Sequence, residues 1–220
     1  MGFDKLFAMI AGKPVIAYTI HAFERADSVS EIIVVAREDR HAELKTIVRG
    51  ENFKKVRSIV PGGEHRQDSV RAGLNQLEAR ARYVAIHDAA RPLVTAKQIG
   101  RVFEQCQIHG AATLAEPVND TLKRADTDLV VTGSVDRNQL YAMQTPQIFQ
   151  RQLIEEAYRG VYAEKVSVTD EVSAVERLDR KVVLVLNDDF NFKITYPRDL
   201  PLAEFVLKQR IQSAAPEREG

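Results

Sequence analysis

Apolar positions along the chain switch repeatedly between a helical and an extended period. Pro14 to Arg25 reads as a helix, with proline near the first turn, where its missing N–H costs little. Glu31 to Ala36 is β-branched and apolar, the pattern of a buried strand. Glu38 to Arg49 reads as a helix that Gly50 ends. Val56 to Val60 is a strand closed by Pro61-Gly62-Gly63. Gln67 to Ala79 carries Val70, Leu74 and Leu77 at helical spacing. A short strand from Tyr83 follows, to Asp88. Thr95 is placed to cap a helix bearing Ile99, Val102 and Phe103, which Gly110 ends. Ala111 to Glu116 is again strand-like. Strands alternating with helices of this length predict βαβ units, hence an α/β fold with a mostly parallel, Rossmann-like sheet and helices on both faces.

That rhythm breaks after Pro117. Residues 118–149 hold two apolar runs, Leu129-Val130-Val131 and Leu140-Tyr141-Ala142-Met143, with turn residues around Gly133. An inserted β-arm pairing the two runs is expected, and unpaired arm edges seek a partner, so a homodimer is expected with it. Helices return at Arg151–Tyr158 and Thr169–Leu178, the second opening Thr-Asp-Glu with its hydroxyl as cap and acids in the first turn. Val182 to Leu186 and Asn191 to Thr195 read as strands, and Arg198 to Ile211 as a closing helix. The whole chain is expected to be one domain, 1–220, with the arm at about 118–149.

Composition narrows the function classes. The chain has 220 residues, 45% of them hydrophobic, enough for one large domain. Lys+Arg and Asp+Glu are both 31, so no long-range field for nucleic acid is expected, and no aromatic-basic interleaving appears. One cysteine, Cys106, permits no internal disulfide and sits in an apolar helical pattern. No run approaches the ~18 apolar residues of a membrane span, and no signal peptide precedes the first element. A reducing cytoplasm is the expected setting, or a plastid in a plant-type host.

The chemistry concentrates at strand ends. Ile86-His87-Asp88-Ala89-Ala90-Arg91-Pro92 closes a buried strand with an acid, two small residues and a base, where open α/β sheets bind ligands. Asp88 can hold a cation, the alanines let a ligand approach the backbone, and Arg91 can grip a phosphate. Thr121, Lys123, Arg124, Arg137, Thr145, Thr169 and Lys193 also lie at element ends. Together they suit a phosphorylated polyol and a metal-bound nucleotide. Each has a plainer explanation: a cap for Thr169, a surface pair with Asp136 for Arg137, an outward strand position for Lys193. The histidines show no metal-ligand spacing, and His87, facing away from Asp88, reads as structural. No Gly-x-Ser-x-Gly occurs, which disfavours nucleophilic hydrolysis.

Seven motifs in order carry a specific resemblance. They are Gly62-Gly63-Glu64-His65-Arg66-Gln67-Asp68-Ser69-Val70, His87-Asp88-Ala89-Ala90-Arg91-Pro92, Pro117-Val118-Asn119-Asp120-Thr121-Leu122-Lys123, Val135-Asp136-Arg137, Gln144-Thr145-Pro146-Gln147-Ile148-Phe149, Thr169-Asp170-Glu171 and Phe192-Lys193-Ile194-Thr195. Over essentially the whole chain this resembles the 2-C-methyl-D-erythritol 4-phosphate cytidylyltransferase family. The resemblance implies transfer of CMP from CTP to methylerythritol phosphate, with release of pyrophosphate, in non-mevalonate isoprenoid synthesis, with magnesium. It implies that Gly63, Glu64, Ser69 and Ala89 bind the nucleotide. Asp88 would lie near both the metal and the acceptor, and Arg91, Thr121, Thr145 and Thr169 would line the acceptor pocket. Arg137 and Lys193 would position the acceptor phosphate, Thr121 and Arg137 reaching across a dimer. Lys5 would stabilise charge on the triphosphate.

The family pattern opens with a strand and an Ala-Ala-Gly phosphate loop that do not appear here; Met1-Gly2 resemble the end of that loop. An absent central strand would expose ladder groups on both neighbours, so a longer natural protein is expected. Two alternatives share many of the motifs: a ribitol-5-phosphate cytidylyltransferase, and a nucleotide-binding module inactive for want of the loop.

Overall fold

The computed structural model describes residues 4–214. The chain opens with a tight hairpin, β1 (Met9–Ile10) and β2 (Lys13–Pro14), turned by Ala11 and Gly12 at φ of 42° and 85°. Next come α1 (Val15–Arg25), β3 (Ile32–Ala36), a 3-10 turn leading into α2 (His41–Gly50), β4 (Val56–Pro61), α3 (Arg66–Leu74) and β5 (Tyr83–Ile86). Then follow α4 (Ala96–His109), β6 (Ala111–Pro117), β7 (Leu122–Ala125), β8 (Val131–Val135) and β9 (Tyr141–Gln150). The chain closes with α5 (Arg151–Ala163), α6 (Glu171–Glu176), β10 (Val183–Leu186) and α7 (Asp199–Ala214).

The α/β class holds, but the pairing is mixed. A four-stranded sheet runs β10-β6-β9-β5, with β10 parallel to β6 and β9 antiparallel to both β6 and β5. Three of its strands therefore point the same way and β9 alone is reversed. β3 and β4 form a separate parallel pair. Successive residues of a strand face opposite sides, and the core splits accordingly. Ala111 and Phe149 pack against α3, α5 and α6, whereas Ala112, Leu114, Ile148 and Val185 pack against α4. Gly110 stops α4 at φ 86°, and Thr95 caps it by accepting from the Gln98 N–H at 3.2 Å, both as predicted.

β3 and β5 do not pair with each other. A cavity of about 650 Å³ lies between them, lined by Ile32–Val35 of one, Tyr83–Ile86 of the other, and apolar residues of α1 and α3. The two strands run the same way. Arg57 contacts Glu31 before β3 and Glu78 before β5, while Ala89 beyond β5 packs against the same apolar cluster as Val34 of β3. Their facing edges thus turn ladder groups toward an unfilled space rather than toward a neighbouring strand.

Two expectations need correction. The second apolar run, from Leu140, is not arm: Tyr141–Gln150 is the long central strand β9. The hairpin is narrower, Leu122–Ala125 paired with Val131–Val135. Its tip is apolar and open, with Leu129 85% and Val131 62% exposed. Asn191–Thr195 is not a strand. Its backbone is fixed singly, Ile194 N–H to the Ala90 carbonyl at 2.8 Å and the Asn191 carbonyl to Arg91, with no ladder.

Candidate active site

The end of β5 is held from both flanks. Arg91 N–H closes a turn onto the Asp88 carbonyl at 2.9 Å, and Thr145 Oγ1 on β9 accepts from the Asp88 N–H at 3.1 Å. His87 completes the clamp, with Nε2 3.2 Å from the Arg91 carbonyl and Nδ1 2.9 Å from Thr145 Oγ1. A carbonyl can only accept, so Nε2 carries the proton and the Thr145 hydroxyl donates to Nδ1. Burial pushes the His87 pKa down to about 4, so the ring is neutral and structural, as the strand alternation predicts.

Asp88 is where the site's charge gathers. Lys193 Nζ is 2.9 Å from Oδ2, Arg91 Nε 3.7 Å from the same oxygen, and Arg66 Nε 3.4 Å from Oδ1. Burial opposes its ionisation, but Lys193, then Arg66 and Arg91, outweigh burial and hold the carboxyl below its ordinary pKa. Lys193 reaches in from the loop before α7 and is 40% exposed, so its ammonium is open to a ligand. That loop is anchored by Asn191, buried, whose Nδ2 donates to Gln144 Oε1 and to the Thr145 carbonyl at 3.0 and 2.9 Å.

Facing this wall is a turn, residues 62–65, between β4 and α3. A Cβ on Gly63 would meet the Asp68 side chain at 2.2 Å, so only glycine lets the turn fold down onto the helix start. Gly63 N–H donates to Ser69 Oγ at 3.2 Å, and His65 N–H to Asp68 Oδ2 at 3.1 Å. Gly63 and Glu64 are exposed, presenting backbone and a carboxylate at a helix N-terminus. Ala89, Ser69, Arg66 and Asp88 line the same cavity mouth.

The expected residues do not all meet. Asp88, Ala89, Arg91, Thr145 and Lys193 converge, and Gly63 and Glu64 form the facing turn, with Ser69 on α3 bonded to it. Arg91 turns inward. Its Nη1 donates to the Asn191 carbonyl at 2.8 Å and its side chain is 12% exposed, so it shapes the wall and the charge of Asp88. Thr145 is likewise buried and spent on Asp88 and His87. Thr169 is exposed beside the site, but it is not the cap of α6: Asp170 is, accepting from the Ser173 N–H at 2.9 Å. Lys5 touches none of the Asp88 cluster. It lies near Asp199, whose carboxyl is lowered first by backbone donors at Tyr196 and Thr195 and last by Lys5. Thr121 and Arg137 stay on the arm, Arg137 bonding the Asn119 carbonyl.

Sequence reasoning missed Arg66 and Glu171. Arg66 gives Nη1 and Nη2 to Glu171 Oε1 and Oε2 at 2.6 and 2.8 Å, and the Tyr158 hydroxyl donates to Oε1 at 3.0 Å. The signal was present inside two motifs, but Glu171 reads as an ordinary first-turn acid until its complete burial is seen.

Among the described residues no group of three or more His, Cys, Asp or Glu is arranged to hold a metal. Asp88 is the carboxylate at the centre of this cluster and faces three cations. Its Oδ1, with the long Arg66 contact at 3.4 Å, is the oxygen that would be open to a divalent cation.

Comparison with known proteins agrees with the geometry. The family described as 2-C-methyl-D-erythritol 4-phosphate cytidylyltransferase matches residues 1–209. A protein of that name from Caldanaerobacter subterraneus subsp. tengcongensis is 41% identical over 207 residues, covering 94% of this chain and 91% of the relative. Another, from Dehalococcoides mccartyi, is 38% identical over 208 residues, covering 94% and 90%. Among solved structures, 4-diphosphocytidyl-2C-methyl-D-erythritol synthase from Anaerococcus prevotii superposes with a TM-score of 0.82 at 29% identity, covering 91% of this chain and 88% of that one. The Thermus thermophilus cytidylyltransferase gives 0.81 at 30% identity, covering 93% and 94%.

Proposed function

The chain belongs to the 2-C-methyl-D-erythritol 4-phosphate cytidylyltransferase family, and from that premise we infer that the cleft between the 62–65 turn and the Asp88 cluster is where CTP meets the acceptor. The activity is cytidylyl transfer from CTP to 2-C-methyl-D-erythritol 4-phosphate in isoprenoid biosynthesis. An oxygen of the acceptor phosphate attacks the α-phosphorus of CTP, the new P–O bond forms, and pyrophosphate leaves. The attacking oxygen is already an anion, so no strong general base is needed. The barrier is bringing two anions together in line.

The ion pair of Lys193 with Asp88 is the observation that carries this reading. An acid at a strand end holds a solvent-open ammonium beside the cleft, ready to exchange its carboxylate for an acceptor phosphate. Gly63, Glu64, Ser69 and Ala89 fit the nucleotide, with backbone approach at the glycine. Thr169 fits the acceptor; the triphosphate role of Lys5 rests on the family resemblance alone. Arg91 and Thr145 serve by fixing Asp88. Magnesium, carried on the triphosphate, would use Asp88 and offset phosphate charge. Thr121 and Arg137 lie on an arm with an exposed apolar tip and reach no cleft in their own chain, which supports a homodimer in which the arm serves the neighbour. No described helix is long and apolar enough to cross a membrane.

The test is pyrophosphate release from CTP and magnesium with methylerythritol phosphate, with ribitol 5-phosphate as control. Release with the first acceptor and a product of matching mass is expected; release only with the second would overturn the assignment. For the arm, Lys193→Ala and Arg137→Ala proteins, each inactive, are mixed. If arms cross, half of the dimers are mixed and each has one intact site, restoring about a quarter of normal turnover. No recovery would overturn the shared site.

A further inference from the structure

The cytidylyl-transfer reading leaves one buried contact unexplained. Arg66 opens α3 directly after the exposed glycine turn. Glu171 opens α6 two residues after Thr169. They are far apart in sequence, yet the guanidinium meets the carboxylate through two parallel bonds of 2.6 and 2.8 Å. The third donor of the same guanidinium, Nε, points at Asp88 Oδ1, 3.4 Å away. One side chain therefore touches the nucleotide side, the acceptor side and the acid between them.

Glu171 is fixed independently of Arg66. It is fully buried, and it accepts from the Tyr158 hydroxyl. Gln147 Oε1 accepts from its backbone N–H at 3.1 Å and from that of Val172 at 3.2 Å, tying α6 to β9. Glu171 is thus an immobile anchor on the acceptor side. Arg66, its partner, is the more exposed of the two, with 35% of its side chain accessible. Three further bonds cross the same seam, Val168 N–H to Gln67 Oε1, Gln67 Nε2 to the Val166 carbonyl and the Tyr162 hydroxyl to Asp68. None reaches Asp88.

We propose that Arg66, anchored by Glu171, is a positioning residue that sets the nucleotide turn and Asp88 in one frame with the acceptor loop. The inference builds on the transfer reading. Its physical content is that a planar fork with three directed donors can hold two carboxylates at once, whereas an ammonium cannot. A pair serving only stability behaves differently: replacing both partners by apolar residues of similar volume is often neutral or stabilising. Nothing would then happen to turnover.

That difference supplies the test. Three proteins are compared by urea unfolding and by steady-state kinetics with CTP, magnesium and methylerythritol phosphate: the unmodified chain, Arg66→Lys, and the double variant Arg66→Met with Glu171→Met. We expect the double variant to be folded with near-normal stability, and kcat to fall roughly 30- to 100-fold while KM for CTP stays within about threefold. Arg66→Lys, which keeps charge and loses the fork, should lose nearly as much kcat. Normal kcat in the folded double variant overturns the proposal, and if that variant does not fold, normal kcat in Arg66→Lys overturns it. Absence of turnover in the unmodified protein would sink the transfer reading and the positioning role together. Turnover in the unmodified protein with both variants unimpaired sinks the positioning role alone.

Discussion

The two halves of this sheet system are built to different standards. β6 and β9 are paired on both edges, and a chain of side-chain bonds runs across their far end, Gln98 to Asn187, Asn187 to Gln144, Gln144 to Glu116 and Asn191 to Gln144. The Asp88 wall grows from this half, so it stands in place before any ligand arrives. β3 and β4 make a two-stranded unit across a cavity from β5, and the nucleotide turn hangs from its end. In this chain the acceptor wall belongs to the half whose central strands are paired on both edges. The turn is referred to that wall by side chains, above all Arg66 with Glu171.

The largest effect is expected at Lys193, the most exposed of the three cations around Asp88. Lys193→Ala removes a side chain 40% exposed, so folding should survive while kcat/KM falls by roughly 10³, the scale of a positioned cation at a transferring phosphoryl group. The measurement is steady-state pyrophosphate release, with urea unfolding as the folding check. A loss below tenfold would mean that the wall is not where the acceptor phosphate is held.

Packing should show the same asymmetry. Phe149 on β9 is fully buried between β5, β6 and α5. Phe149→Ala should cost about 3–5 kcal/mol in urea unfolding. Val35 lies on the β3 edge and already faces the cavity, so Val35→Ala should cost well under about 1.5 kcal/mol, because few partner atoms are lost. Equal costs would show that the cavity is closed in solution. Amide exchange probes the same contrast with a smaller effect. Amides of β9 and β6 should exchange one to two orders of magnitude more slowly than those on the cavity-facing edges of β3 and β5.

The regular parts of this architecture were legible in the sequence because each answers to a local period: β3, α4 and β6 lie within a residue or two of their predicted bounds. β9 was not. Its run contains Gln144, Pro146 and Gln147, residues that read as loop. Their amides and carbonyls are satisfied only once Asn191, Asp170 and α6 are folded against them. The reverse error at Asn191–Thr195 has a similar origin. Phe192 and Ile194 alternate like a strand, but no neighbour offers a ladder. At the site, Asp88 and Lys193 were visible as charges at element ends. Arg66 and Glu171 were not, because a buried pair between two helix starts leaves no trace in either helix's own pattern.

The smallest effect concerns acid, and it tests whether the acceptor wall loosens before the rest. Buried neutral, His87 has its pKa depressed to about 4 against about 6.5 in the unfolded chain. Protons therefore bind the unfolded state more readily through that interval. The stability due to the neutral ring is complete above about pH 6.5 and drains as pH falls toward 4, at up to about 1.4 kcal/mol per pH unit. Its partners here are Thr145 and the Arg91 carbonyl, both inside the wall; protonation keeps the Nε2–H bond to Arg91 but makes Nδ1 a donor, so the Thr145 hydroxyl must reverse its bond beside Asp88. Asp88 itself titrates lower and adds to the loss only below about pH 4, since its folded pKa lies under the unfolded value near 3.9. The two contributions separate in pH. His87→Gln keeps a polar side chain at the position and cannot titrate, so its unfolding free energy should stay flatter than that of the unmodified protein between pH 6.5 and 4.5. Urea midpoints at three pH values in that window decide it: parallel slopes in the two proteins would mean that His87 is solvated, and that the wall is softer than its hydrogen bonds imply.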